Sequence, residues 1–117
     1  MPFMFENLEV YKKAMGFVRE VFCLRKEIKD RTITDQLCRA VLSIPLNIAE
    51  GQGRAHAREK RQFYNTAKGS LYETVPLVHL CFDLQYFNED QYNMLYVLMN
   101  EIGKMLAGLI KSVPDRD

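Results

Sequence analysis

An all-α, antiparallel up-down four-helix bundle is the fold this sequence predicts, on three observations. Apolar residues recur at alternating spacings of three and four in four separate segments, no stretch alternates with a period of two, and the breaks between segments are short enough to be turns. In 117 residues, 48% apolar and 26% charged, a single domain over residues 1–117 with one core is expected. The helices are expected at about residues 7–29, 34–51, 57–85 and 89–112.

In the first helix Leu8, Tyr11, Met15, Val18 and Phe22 form one stripe, with Val10, Ala14, Phe17, Val21, Leu24 and Ile28 beside it. At about 100° per residue the two merge into an apolar face roughly 160° wide, a width that fits burial on two sides, by the bundle and by a neighbouring subunit. KDRTIT breaks the pattern, and Thr32 or Thr34 is expected to N-cap the second helix, whose stripe is Leu37, Val41, Ile44 and Ile48. Pro45 lies inside that helix, where a proline costs about 3 kcal/mol unless compensated. Two readings stay open: Ser43 back-bonds to a helix carbonyl and the helix continues, or the helix begins anew at Pro45. Gly51 is expected at the position just past the helix end, in left-handed geometry. The third helix carries Phe63, Ala67, Ser70, Thr74, Leu77 and Cys81, flanked by Tyr64, Leu71, Val75, Val78 and Phe82, and Pro76 is expected to bend or interrupt it. Asn88 is expected to N-cap the fourth, whose heptad is Tyr92, Leu95, Met99, Ile102, Leu106, Leu109 and Val113.

Function is bounded first by exclusion. No apolar run approaches the ~18 residues of a membrane span, and MPFMFENLEV shows neither a basic leader nor a cleavage site, so a cytoplasmic protein without a membrane partner is expected. Cys23, Cys38 and Cys81 are odd in number and widely spaced, unlike a disulfide framework or a metal pair. GQGR lacks the GK[ST] of a phosphate loop and the preceding strand of a dinucleotide fingerprint. His56 and His79 belong to no catalytic or metal-ligating constellation. No enzymatic activity, cofactor or metal is expected.

Charge is uneven beneath a net +1. Residues 12–68 hold 13 Lys/Arg against 6 Asp/Glu, whereas residues 69–117 hold 3 against 7. Such asymmetry fits nucleic-acid attraction or head-to-tail self-association. Arg54, Arg58, Lys60, Arg61 and Lys68 form the densest basic cluster, where a loop enters a helix N-terminus, and with Arg39 they are the candidate phosphate contacts. Ser43, Asn47 and Glu50 share one face of the second helix with Gln36 and Arg39. That face is either solvated or hydrogen-bonded across to Gly69, Ser70 and Glu73, the first two allowing close backbone approach.

SIPLNIAEGQGR, RQFYNTAKGSLYE and NEIGKMLAGLIKSV resemble the four-helix-bundle proteins encoded in 23S rRNA intervening sequences, and are similar to the accessory variability proteins of diversity-generating retroelements. The resemblance covers nearly the whole chain. It implies a homopentameric barrel, binding of RNA or DNA, and in retroelement members partnership with a reverse transcriptase. It also implies that Ser43, Pro45, Asn47, Glu50, Gly51, Arg54, Gly69, Ser70 and Glu73 are family motif positions, which favours the cross-helix network. Retroelement accessory proteins are strongly basic and this chain is near neutral, which implies weaker uniform phosphate binding here. A structural, protein-docking oligomer without nucleic acid is the alternative expectation.

Overall fold

A computed structural model describes residues 3–116. A 3₁₀ turn, Met4–Asn7, leads into α1 (Glu9–Leu24); a second 3₁₀ turn, Arg25–Glu27, precedes α2 (Arg31–Gln52), and α3 (Ala57–Asp83) and α4 (Glu89–Ser112) follow. No described residue lies in a strand. Each helix packs on the next and α4 returns to α1, so the four close into a bundle with α2 and α3 the most intimate pair. The molecule measures 47 × 29 × 23 Å.

The helix starts and stops follow local chemistry. Asp30, not Thr32 or Thr34, caps α2: its carboxylate accepts from Ile33 N at 3.0 Å, and the Thr34 hydroxyl donates to Asp30 O at 2.9 Å. A carboxylate at this position also complements the helix dipole, and α2 therefore starts two residues earlier than a Thr32 cap implies and four earlier than a Thr34 cap. Asn88 does cap α4, in a reciprocal box with Gln91 at 2.8 and 2.9 Å. α1 stops at Leu24 because the chain tightens into a 3₁₀ turn, Ile28 N donating to Arg25 O at 3.1 Å, and the buried Ile28 is already extended.

Neither proline breaks its helix. α2 runs unbroken through the buried Pro45, which overturns the reading that a helix begins there, and of the bend or interruption expected at Pro76 the interruption does not occur, since α3 is continuous through it. Gly51 is not in left-handed geometry, since no described glycine has positive φ; it lies within α2, buried, and Gly53 closes the helix instead.

The core is one buried cluster to which α2 contributes Leu37, Val41, Ile44 and Ile48, α4 contributes Leu95, Met99, Ile102 and Leu106, and α1 contributes Phe17 and Val21 among others. On α3 the buried face joins Ala67, Thr74 and Cys81 of the expected stripe to Tyr64, Leu71 and Val78 of its expected flank, while Phe63, Ser70 and Leu77 are half-buried. The broad face of α1 is covered within the chain, leaving no large apolar side chain of that helix exposed.

Candidate nucleic-acid interface

Along the α2–α3 seam residue numbers rise on one helix as they fall on the other, as an antiparallel pair requires. At one end the Arg39 guanidinium donates to Glu73 at 2.8 Å and to Gln36 at 2.7 Å. Further along, the Ser43 and Ser70 hydroxyls lie 2.7 Å apart, and the Asn47 amide donates to Ser43 O at 2.8 Å and to Ser43 Oγ at 2.9 Å. Ser70 also reaches Thr66 O at 3.1 Å, and the buried Thr74 donates to Ser70 O at 2.7 Å. Each hydroxyl has one proton, so when Ser70 donates to Thr66 the Ser43 proton makes the cross-helix bond. Among the described residues no buried side-chain nitrogen or oxygen lacks a partner.

Two expected members stand apart from this seam. Glu50 accepts from Arg54 of its own helix end at 2.9 Å instead of reaching α3. Gly69 is exposed, and a Cβ there would meet nothing within 4 Å, so it is not a point of close approach. The close approach is at Gly51, where a Cβ would stand 2.6 Å from Tyr64 Cε1 and 3.0 Å from Phe63 Cβ. Small and hydroxyl side chains set the spacing of the two helices, and Gly51 sets its tightest point.

Arg54, Arg58, Lys60 and Arg61 stand at or just after the α2–α3 elbow, Lys68 lies further along α3, and the five do different work. The Lys60 ammonium donates to Gln52 O at 2.8 Å and Gly51 O at 3.4 Å, satisfying carbonyls that the end of α2 leaves open. Arg61 donates to Pro114 O and ties α3 to the segment after α4. Arg54, besides its pair with Glu50, places its guanidinium 4.7 Å from the Phe63 ring centroid, and Lys68 lies 5.6 Å from that of Tyr72. Arg54, Arg58 and Lys68 are exposed, whereas Lys60 and Arg61 are half-buried. The sequence does not reveal that two of the five serve backbone carbonyls.

Two further features were not legible in the residue pattern. Lys13 of α1 pairs with Glu101 of α4 at 2.7 Å. His79, Phe82, Tyr92 and Tyr96 form an aromatic row between α3 and α4, the Phe82 and Tyr92 rings stacked at 4.4 Å. The three cysteines are free. Burial pushes the Cys81 thiol up to about 11 and raises that of Cys38 despite the opposing pull of Arg25. No group of three potential metal ligands occurs among the described residues, and no described helix is long and apolar enough to cross a membrane.

An all-α bundle with a hydroxyl-lined α2–α3 seam and a basic elbow defines a class of small helical proteins rather than any single activity. Within it, the chain belongs to the 23S rRNA-intervening sequence protein family, which it matches over residues 6–108. It is similar to a protein of unknown function from the S23 ribosomal protein family of Bacteroides thetaiotaomicron VPI-5482, with 25% identity and a TM-score of 0.83 over 88% of this chain and 99% of that one. Among curated proteins none matches.

Proposed function

We propose that this chain is a non-enzymatic homo-oligomer that holds RNA or DNA by its phosphates at the α2–α3 elbow, in copies arranged as a pentameric ring. The observation that carries this reading is the exposure of Arg54 and Arg58 at the turn and start of α3, with Lys68 exposed about three turns further along the same helix. The Arg54–Glu50 pair is a solvent-exposed i,i+4 pair, an interaction worth only a few tenths of a kcal/mol, so a phosphate can replace the carboxylate at little cost. Repetition around a ring multiplies these three exposed cations without any new kind of contact. The family's description, which joins it to 23S rRNA intervening sequences, accords with a nucleic-acid partner. A reverse transcriptase is the protein partner the retroelement resemblance favours.

A second reading, a protein-docking oligomer without nucleic acid, is favoured by the use of Arg39, Lys60 and Arg61 inside the chain. Binding of fluorescent RNA and duplex DNA at about 50 and 200 mM salt separates the two. The first reading expects affinity to fall steeply with salt, and the combined Arg54→Glu, Arg58→Glu and Lys68→Glu variant to lose it. No binding at the lower salt removes the nucleic-acid reading and leaves the docking oligomer.

A further inference from the structure

Among the described residues, two of the apolar patches left uncovered lie on opposite edges of the bundle. The first is the N-terminal 3₁₀ turn, which packs on α1 and α2 and leaves Phe3 69% and Met4 73% exposed. This turn is not a frayed end. Phe3 N donates to the Glu6 carboxylate at 3.0 Å, Glu6 N donates to Phe3 O at 3.1 Å, Phe3 stacks on Phe5, and Phe5 meets the Tyr11 ring edge-on at 4.9 Å. Four interactions thus fix a turn that holds two large apolar side chains in water. Leu46 of α2, also exposed, lies beside Phe5 and extends the same edge.

The second patch is a groove of about 350 Å³ between α3 and α4, walled by Leu71, Tyr72 and Val75 on one side and Tyr96, Met99 and Gly103 on the other. Gly103 leaves its floor open, and Tyr72 and Tyr96 stand exposed at its mouth. Lys104 is part of the lining and Lys68 stands over Tyr72, while no carboxylate lines it. The acid beside the arm is Glu6, whereas Glu9 is paired with Lys12 at 3.4 Å. The arm is apolar with an acidic flank; the groove is apolar with a basic flank.

We propose that the Phe3–Met4 arm of one copy seats in the α3–α4 groove of the next. The contacts of the bundle put α1–α2 and α3–α4 on opposite sides, so a chain cannot fill its own groove. The joint is therefore heterologous, the same knob meeting the same hole from copy to copy, and it generates a closed ring or an open chain instead of a two-fold dimer. Sulfur against aromatic rings suits Met4 between Tyr72 and Tyr96. This inference rests on the homo-oligomer of the proposed function and names the surfaces that build it.

The test uses the whole chain in three forms: wild type, an arm variant (Phe3→Glu with Met4→Glu) and a groove variant (Tyr72→Glu with Tyr96→Glu). All four positions are exposed, so the fold is expected to survive, and circular dichroism verifies it. Mass in solution is measured for each alone and for the two variants mixed. Wild type is expected to be oligomeric and each variant about a hundredfold weaker in self-association, from the loss of two apolar side chains at a joint. The mixture is expected to stop at a dimer, because one intact arm and one intact groove remain between the two variants. Variants that keep the wild-type mass overturn the arm-in-groove joint while leaving the oligomer standing; a monomeric wild type overturns both. For variants that lose helicity, a photo-crosslinker at Phe3 decides instead: label on α3 or α4 of another copy supports the joint, and label elsewhere overturns it.

Discussion

Gln85 shows how much a single backbone dihedral can matter. It is the non-glycine residue with positive φ, 64°, among those described, and it closes α3: Tyr86 N donates to Cys81 O at 2.8 Å and Gln85 N to Phe82 O at 2.9 Å. That pair of bonds is a Schellman motif, whose left-handed residue is usually glycine, since a Cβ there costs about 1–2 kcal/mol. Gln85→Gly is expected to stabilise the protein by about 0.5–1 kcal/mol in urea unfolding, after the added freedom of the unfolded chain is subtracted. Gly51→Ala acts in the opposite sense. Its new methyl would press on the Tyr64 ring, which is 3% exposed and has nowhere to swing, so a loss of about 1–3 kcal/mol is expected from overpacking despite alanine's better helix propensity. Cys81 adds a pH signature. Its thiol titrates near 11 when folded and near 9 when unfolded, so between those values the folded state binds the extra proton and stability falls as pH rises. Unfolding measured from pH 8 to 11 is expected to show this slope, with Cys81→Ala removing part of it; thiol labelling at pH 8 is expected to reach the exposed Cys23 quickly and Cys81 only through unfolding.

At the scale of elements, the sequence legibly predicts the four helices, and the reason is periodicity. The stripe of α2 and that of α4 from Leu95 to Leu106 are buried as their spacing requires, with Tyr92 and Leu109 half-buried at its ends, and Asn88 caps α4 as its acidic first turn foretells. The starting point of α2 was less legible because Asp30 and two threonines compete for one role, and which side chain reaches Ile33 N depends on backbone geometry. Site roles were less legible still. Lys60 reads as one cation in a run, yet its ammonium caps the preceding helix, and backbone carbonyls carry no letter in a sequence. The distinction is testable. Lys60→Ala is expected to lower stability by about 0.3–1 kcal/mol, as loss of a cation at a helix C-terminus does, with little effect on RNA binding; Arg58→Ala is expected to do the reverse. Between α2 and α3 the Ser43–Ser70 bond has a similar scale. Ser43→Ala and Ser70→Ala should each cost about 1 kcal/mol, and the double variant less than their sum, because the partner left behind is no longer unpaired.

For the whole molecule, the uncovered apolar surface decides more than its net charge. A wide stripe on α1 points to a shared surface there, but α1 is covered by its own chain, and the surplus lies at the N-terminal turn, on α2 and across α3–α4. Periodicity tells which side chains are apolar; only packing tells which of them find a neighbour. Exposed apolar surface on two edges is what an assembled state would cover, and assembly links stability to concentration by mass action. For a ring whose subunits unfold as they part, each tenfold dilution removes about 1 kcal/mol per subunit, and a domain of this size then loses roughly 3–5 °C in Tm. Calorimetry across a hundredfold range of concentration is therefore expected to show Tm falling on dilution for the wild type. The arm and groove variants, already apart, are expected to show a lower Tm that does not move with concentration. A wild-type Tm that stays constant over that range would mean the exposed edges contribute nothing to holding this fold together.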